Sequence, residues 1–393
     1  MINFFIRVVL ILTFIFLSFS FNQVSAQDTN NISLQECWKF ETPQSESLKF
    51  ASDNVSELFL TLEGNLQAIN LSDRKVHWKT ELGGEVISNI LFEKEKIFVI
   101  TKSNLQKASE KKTEEITIRS ISSLTGLPIW KQTLYLTGDK LENSENNSEN
   151  NSENIGYIDL IINDNFLNLV LRSGEIIILE KLDGTFNKQI SLDSEFSSAP
   201  VTADQKIYIG TVKSGIKYLF EGKLAHLEGI NFKNIAKVIF VTNDGKGYLF
   251  IADQFGTVFC FNLVSNKMLW KTRTGAEVIG IKEEEGYLLV SSNDNFIYSI
   301  SQKNGNINWK KRLAGRSEFT LSDDQSLLFL ATVNSDTLTV SKSDKGNTVN
   351  QIFLQDANYF VSSPLLIKDF VVTPTNFGFS VYSTSAIPCK LKS

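Results

Sequence analysis

The chain is built largely from short runs in which apolar and polar residues alternate, each closed by Gly, Asn or Asp. Residues 58–70 show the unit: an apolar run from Leu58 to Leu62, a turn at Gly64, and a second run through Leu66 and Ile69 to Asn70. Residues 248–262 repeat it around Gly256, residues 287–301 around Asn295, and residues 370–382 around Asn376 and Gly378. A period of two bounded by turn formers predicts tight antiparallel hairpins.

After most hairpins comes a polar turn and a strand carrying Trp-Lys. Trp78-Lys79, Trp130-Lys131, Trp270-Lys271 and Trp309-Lys310 each follow such a turn. Trp38-Lys39 stands alone, with no hairpin before it. Laid in register, the steps fall at 38, 78, 130, 186, about 230, 270, 309 and 349, with Phe186 and Val349 at the Trp position and a blurred unit near Ile230. A spacing of about 40 residues is that of one four-stranded propeller blade. The last hairpin lacks a Trp-Lys strand and Trp38 lacks a hairpin, so joining them closes a ring. The reading is an all-β, eight-bladed β-propeller of four-stranded antiparallel blades, closed by the N-terminal strand; a count of seven stays open at the blurred unit. Closure removes the two cut edges that an open array would leave. It also brings Cys37 near Cys389, a candidate disulfide. Trp38, Trp78, Trp130, Trp270 and Trp309 are read as packing residues between blades, since one register position spread around a ring cannot form a ligand cage.

Two stretches exceed the repeat. Residues 102–115 are polar and charged, and read as a long loop within the second blade. Residues 143–154 are Asn-Ser-Glu-Asn three times over, so an acidic, disordered insertion is expected at about 137–156. At the N-terminus, Arg7, the apolar run 8–21 and Val24-Ser25-Ala26 form the pattern of a signal peptide over residues 1–26, leaving 27–393 as one propeller domain. The run is shorter than the ~20 residues of a membrane span. Export implies an oxidising compartment, periplasmic or extracellular, where a disulfide is permitted.

Composition narrows the chemistry. With 29 Phe, 9 Tyr and 5 Trp the chain can fill a large core. With two His and three Cys it has few of the ligands that zinc sites use. His77 and His226 have no partner at ligand spacing, and Cys260 sits in an apolar strand as a buried thiol. A net charge of −5 without a basic cluster excludes a nucleic-acid footprint. Asp53, Asp204, Asp244, Asp253, Asp294 and Asp323 are acidic candidates by type, read as turn residues that bond their own backbone.

The hairpin units with their Gly turn and Trp-Lys tail resemble pyrroloquinoline-quinone (PQQ)-type propeller repeats, over about residues 36–384, most like the outer-membrane assembly lipoprotein family BamB. The resemblance implies a propeller scaffold with protein partners in the bacterial cell envelope, the barrel-assembly machinery among them. This chain departs from that family in having no Cys directly after the apolar run, so no lipobox. The family's enzymes bind PQQ and usually calcium; their adjacent Cys-Cys pair is absent here. The expectation is a monomeric, exported, non-catalytic scaffold with no catalytic, cofactor or metal residues and no span after signal cleavage. The alternatives are a small PQQ-dependent quinoprotein dehydrogenase and a carbohydrate- or polymer-binding surface protein.

Overall fold

A computed structural model describes residues 34–42, 48–103, 113–137, 158–191, 194–212, 215–227, 238–243, 247–284, 286–355, 358–384 and 389. These lie within one unit, Ser33–Ser393. The signal segment and the acidic insertion fall outside the described residues, except that Thr137 ends a strand.

Strands form eight sheets, and no helix occurs among the described residues. Blade 1 runs inside to outside as Phe50–Ser52, Glu57–Leu62, Asn65–Asn70 and Val76–Glu81, all antiparallel. Blades 3 to 7 repeat this order along the chain. Blade 4 is a full blade, ending in the short strand Lys223–His226, so the count is eight. The Ile230 position lies outside the described residues.

Blade 8 takes three strands from the C-terminus, Leu365–Ile367, Phe370–Thr375 and Gly378–Ser383, and its outermost from the N-terminus, Gln35–Glu41. Ring closure by the first strand is therefore the observed topology.

Blade 2 is irregular. Its innermost strand is split into Glu85–Val86 and Leu91–Glu93, both paired to Lys96–Lys102. In the gap, the Asn89 side chain substitutes for strand backbone: its amide donates to the Leu160 carbonyl (3.1 Å) and its oxygen accepts from the Leu160 N–H (2.7 Å). Its outer pair, Thr113–Ser122 and Pro128–Thr137, runs ten residues each. Glu114 and Glu115, expected in a loop, are thus in a strand, and Lys102 meets Glu114 at 2.8 Å.

Apolar side chains fill the space between neighbouring blades. One cluster joins blades 2 and 3 through Phe98, Ile118, Leu160 and Leu169. Another joins blades 8 and 1 through Phe379, Val381, Leu58 and Leu60. Alternation in each strand thus feeds two interfaces, one per sheet face.

Candidate interaction surface

The Trp-Lys register builds a repeated joint. Trp78 of blade 1 donates its indole N–H to the Ser123 carbonyl of blade 2 (2.7 Å), Trp130 of blade 2 to Lys181 of blade 3 (3.2 Å), and Trp270 of blade 5 to Gln302 of blade 6 (2.7 Å). Each acceptor opens a turn whose glycine lies three residues later. A Cβ on Gly126 would stand 2.5 Å from the Trp78 ring, one on Gly184 2.5 Å from Trp130, one on Gly305 2.7 Å from Trp270, and one on Gly346 2.9 Å from Trp309. All four have φ between +69° and +77°. Glycine is demanded twice, by the left-handed backbone and by the indole lying on it.

The strand registers move two positions of this motif. Trp78 pairs with Ala68, and a β-bulge follows before Val76. The same place in blade 3 is Lys188, opposite Ile178, and in blade 7 Asn350, opposite Val340. Phe186 and Val349 therefore do not stand at the Trp position; Phe186 is exposed. Lys188 takes the tryptophan's role geometrically, since a Cβ on Gly222 would meet its ammonium nitrogen at 1.8 Å.

The seam between blades 8 and 1 departs from this pattern. Trp38 pairs with Val381 and packs edge-on to Phe379 (5.5 Å), while Phe40 stacks on Phe379 (5.1 Å). The buried indole N–H of Trp38 has no acceptor among the described residues, and neither has that of Trp309. Arg74 occupies the turn position four residues before Trp78, at φ +62°, where blades 2, 3, 6 and 7 carry Gly126, Gly184, Gly305 and Gly346 and blade 5 carries Asn266 at φ +52°. Its guanidinium donates to the Cys389 carbonyl (2.6 Å). Cys37 and Cys389 are disulfide-bonded, 352 residues apart in sequence. Cys260 is buried in Thr257–Asn262.

A shallow groove lies where blade 8 meets the end of blade 7, lined by Phe40, Glu41, Leu354, Asn358, Phe377 and Phe379 among others. Phe353, Tyr359, Val361 and Phe377 are exposed near it. Apolar side chains are also exposed at the outer rim, in blade 5, where Val264 is 87% exposed, and in blades 1 to 3. There Leu182 is 76% exposed, Leu124 69% and Leu127 66%, with Ile129, Phe186 and Val76 about half exposed. Neither surface was legible as such, because an apolar turn residue reads as core in a sequence. Each outer strand also leaves one edge unpaired by the sheet order; Pro128–Thr137 is the longest, with Lys131 its one charge.

The polar candidates disperse. Asp53 accepts from the N–H groups of Val55, Ser56 and Glu57, Asp253 from Phe255 and Thr257, and Asp294 from Phe296. Asp204 and Asp323 sit in turns, and Asp244 is outside the described residues. Asp294 also holds the Tyr298 hydroxyl, and burial with that bond pushes the Tyr298 phenol up to about 12. His77 corrects its reading: Nδ1 lies 3.0 Å from Glu57 and Nε2 3.4 Å from Asp73. Hairpin pairing brings Glu57 across 20 residues of chain, which linear spacing does not show. The two carboxylates lie on opposite ring nitrogens, a geometry for orienting the ring rather than for sharing one ion. His226 is exposed at the end of Lys223–His226. Among the described residues no three His, Cys, Asp or Glu side chains are grouped to hold a metal ion.

Toward the ring axis, polar bonds link successive inner strands. The Lys49 ammonium reaches the Val86 carbonyl (2.7 Å), Asn163 the Gln205 carbonyl (3.0 Å), Lys282 the Thr320 hydroxyl (3.1 Å), and Glu318 accepts from Ser363 (3.0 Å). Burial lowers the Lys49 and Lys282 pKa values and raises that of Asp159, which Arg172 opposes at 2.8 Å. Glu284 is buried with Oε2 unpartnered; burial, then Glu283, pushes it up to about 7 against the pull of Lys282.

Comparison with known proteins agrees with this architecture. Residues 237–368 match the family described as outer membrane protein assembly factor BamB. No curated protein matches by sequence. The crystal structure of BamB from Moraxella catarrhalis superposes with a TM-score of 0.62 at 11% identity, over 89% of this chain and 100% of that one. A computationally designed protein, Ika8, superposes at 0.65 with 13% identity, over 89% and 99%. A fold shared with a designed protein assigns no activity by itself. No helix among the described residues is long and apolar enough to cross a membrane. In fold the chain is an eight-bladed β-propeller, and over residues 237–368 its sequence is similar to the PQQ-type repeats of the BamB family.

Proposed function

We propose that the protein is exported and serves as a non-catalytic protein-interaction scaffold in the bacterial cell envelope, with barrel-assembly components among its partners. The observation that carries this is the exposed apolar rim of blades 1 to 3, with Leu124, Leu127 and Leu182 each more than 60% exposed on turns held rigidly by the Trp–Gly joints. Several exposed apolar side chains on turns of a fixed scaffold are the kind of feature a binding surface uses. The long open edge of Pro128–Thr137 beside that rim offers a second means of contact, pairing with an extended segment of a partner. The residue 1–26 pattern supports export, and the BamB likeness supports the envelope.

Photo-crosslinking from Leu127 and Leu182 in cells tests the reading. Adducts with barrel-assembly components are expected there, and not from a crosslinker at Phe255, which lies in the hairpin turn of blade 5. Adducts from neither rim site, or equal yields from all three, overturn it. Incubation with PQQ and calcium is expected to give no dye reduction with alcohols or aldoses; turnover would overturn the non-catalytic part.

A further inference from the structure

The first strand, Gln35–Glu41, is the only one in the ring that reaches its blade from the opposite end of the chain. It is paired on one side, to Gly378–Ser383, and its other edge is open. It lacks the joint that fixes other outer strands: the Trp38 N–H has no described acceptor, and Arg74 stands at the glycine position. In their place the strand is tied covalently, Cys37 to Cys389, with Arg74 holding the Cys389 carbonyl.

We infer that this strand is a redox-gated latch, and that its release opens an acceptor site for an extended segment with large apolar side chains two residues apart. Thiol–disulfide exchange with a dithiol reductant drives the step. The dithiol closes to its own disulfide and gives up two electrons and two protons, and Cys37 and Cys389 end as thiols. What then holds the strand is one ladder, the contacts of Trp38 and Phe40 with Phe379, and their packing against the apolar cluster shared by blades 8 and 1. An edge strand held on one side opens locally before the body of the sheet does. Its departure bares the donors and acceptors of Gly378–Ser383, and removes Lys39, Phe40 and Glu41 from one wall of the groove that Leu354 and Asn358 also line. The vacated slot is shaped for an aromatic pair. Phe379 loses the rings of Trp38 and Phe40 while keeping that of Phe50, and Gly378, at φ +125°, has only 1.9 Å between a notional Cβ and the Phe40 carbonyl, so an incoming backbone passes directly over it.

The gate depends on the bond between Cys37 and Cys389 and on nothing in the proposed envelope role, so the two fail separately. The test uses the full mature chain, oxidised and after reduction in place, with Cys389→Ser as a second form. Hydrogen exchange is read peptide by peptide. Reduction is expected to speed exchange in Gln35–Glu41 and Gly378–Ser383 about tenfold or more beyond any change in Lys267–Arg273 of blade 5. No change at the seam overturns the latch; a rise at the seam no larger than that in blade 5 also overturns it, because the bond would then act only through the stability of the whole ring. A synthetic peptide of residues 34–42 with Cys37→Ser is the probe for the slot. It is expected to bind the reduced chain and Cys389→Ser, and not the oxidised chain. Binding to none of them, or equally to all, overturns the acceptor site. If Cys389→Ser fails to fold, the wild-type chain reduced in place carries both readouts.

Discussion

At the joint between blades 5 and 6, Trp270 donates to the Gln302 carbonyl and lies over Gly305, and every contact is noncovalent. At the seam between blades 8 and 1, Trp38 has no described acceptor, Arg74 replaces the glycine, and a disulfide supplies the tie. The two answer different demands. An ordinary joint links blades that the chain already connects through a short loop, so close packing is enough. The seam must hold together two chain ends that would otherwise drift apart by the whole unfolded length. Its tie matters most where the loop it closes is longest, and here that loop spans nearly the entire protein.

The largest expected effect follows from that difference. Cys37→Ser with Cys389→Ser is expected to cost about 3–5 kcal/mol in urea unfolding, because it returns the entropy of a very long loop to the unfolded chain. A cost below about 1 kcal/mol would show that the seam is held by its ladder and aromatics alone. Next comes the joint glycine. Gly126→Val places a branched side chain in the left-handed region and into the Trp78 ring, and is expected to cost about 2–4 kcal/mol. Arg74→Gly, the same turn position at the seam, is expected to change stability by less than about 1 kcal/mol, since relief of backbone strain offsets the lost bond to Cys389. Equal costs at the two positions would erase the distinction between joint and seam.

Much of this was legible beforehand, and the losses have physical causes. Ring closure followed from a Trp-Lys strand without a hairpin and a hairpin without a Trp-Lys strand. The joint glycines were visible as turn residues, but the indole lying on them was not, because each pair spans two blades. Phe186 was placed at the Trp position by its hydrophobicity. Spacing from the turn corrects this: Lys188 stands four residues after Gly184, as Trp130 does after Gly126 and Trp309 after Gly305, and the strand register puts Lys188 there and leaves Phe186 exposed. The Glu57–His77 contact was hidden because it arises from strand pairing across the blade and not from neighbours in sequence, whereas the rim was hidden because apolar turn residues read as core.

A third comparison sets one ordinary joint against another. Trp270→Phe leaves the Gln302 carbonyl without its donor, whereas Trp309→Phe removes an N–H that has no described acceptor. The first is expected to be less stable than the second by about 1–2 kcal/mol in thermal unfolding. Indistinguishable values would mean that the indoles act through apolar contact alone.

The last effect concerns how far inward an ordinary joint reaches. Gln302, whose carbonyl receives Trp270, uses its side-chain amide to hold Glu283 (2.8 Å) and the Glu284 carbonyl (2.6 Å) at the turn that ends the innermost strand of blade 6. That bonding keeps Glu284 buried near Glu283, with Lys282 the compensating charge, and its pKa is raised to about 7 from an ordinary 4.5. The folded protein therefore binds this proton more tightly than the unfolded chain. The contribution to stability is fully present below about pH 4.5 and is lost as pH rises through about 7. Glu284→Gln carries no such proton and keeps the shape. It is expected to gain on the wild type by about 1–2 kcal/mol as pH is raised from 5 to 8, seen as a growing gap between their urea midpoints. A gap that stays constant with pH would place Glu284 in contact with water and uncouple the inner turn from the joint. A gap that grows would show that these joints, unlike the redox-tied seam, respond to protons.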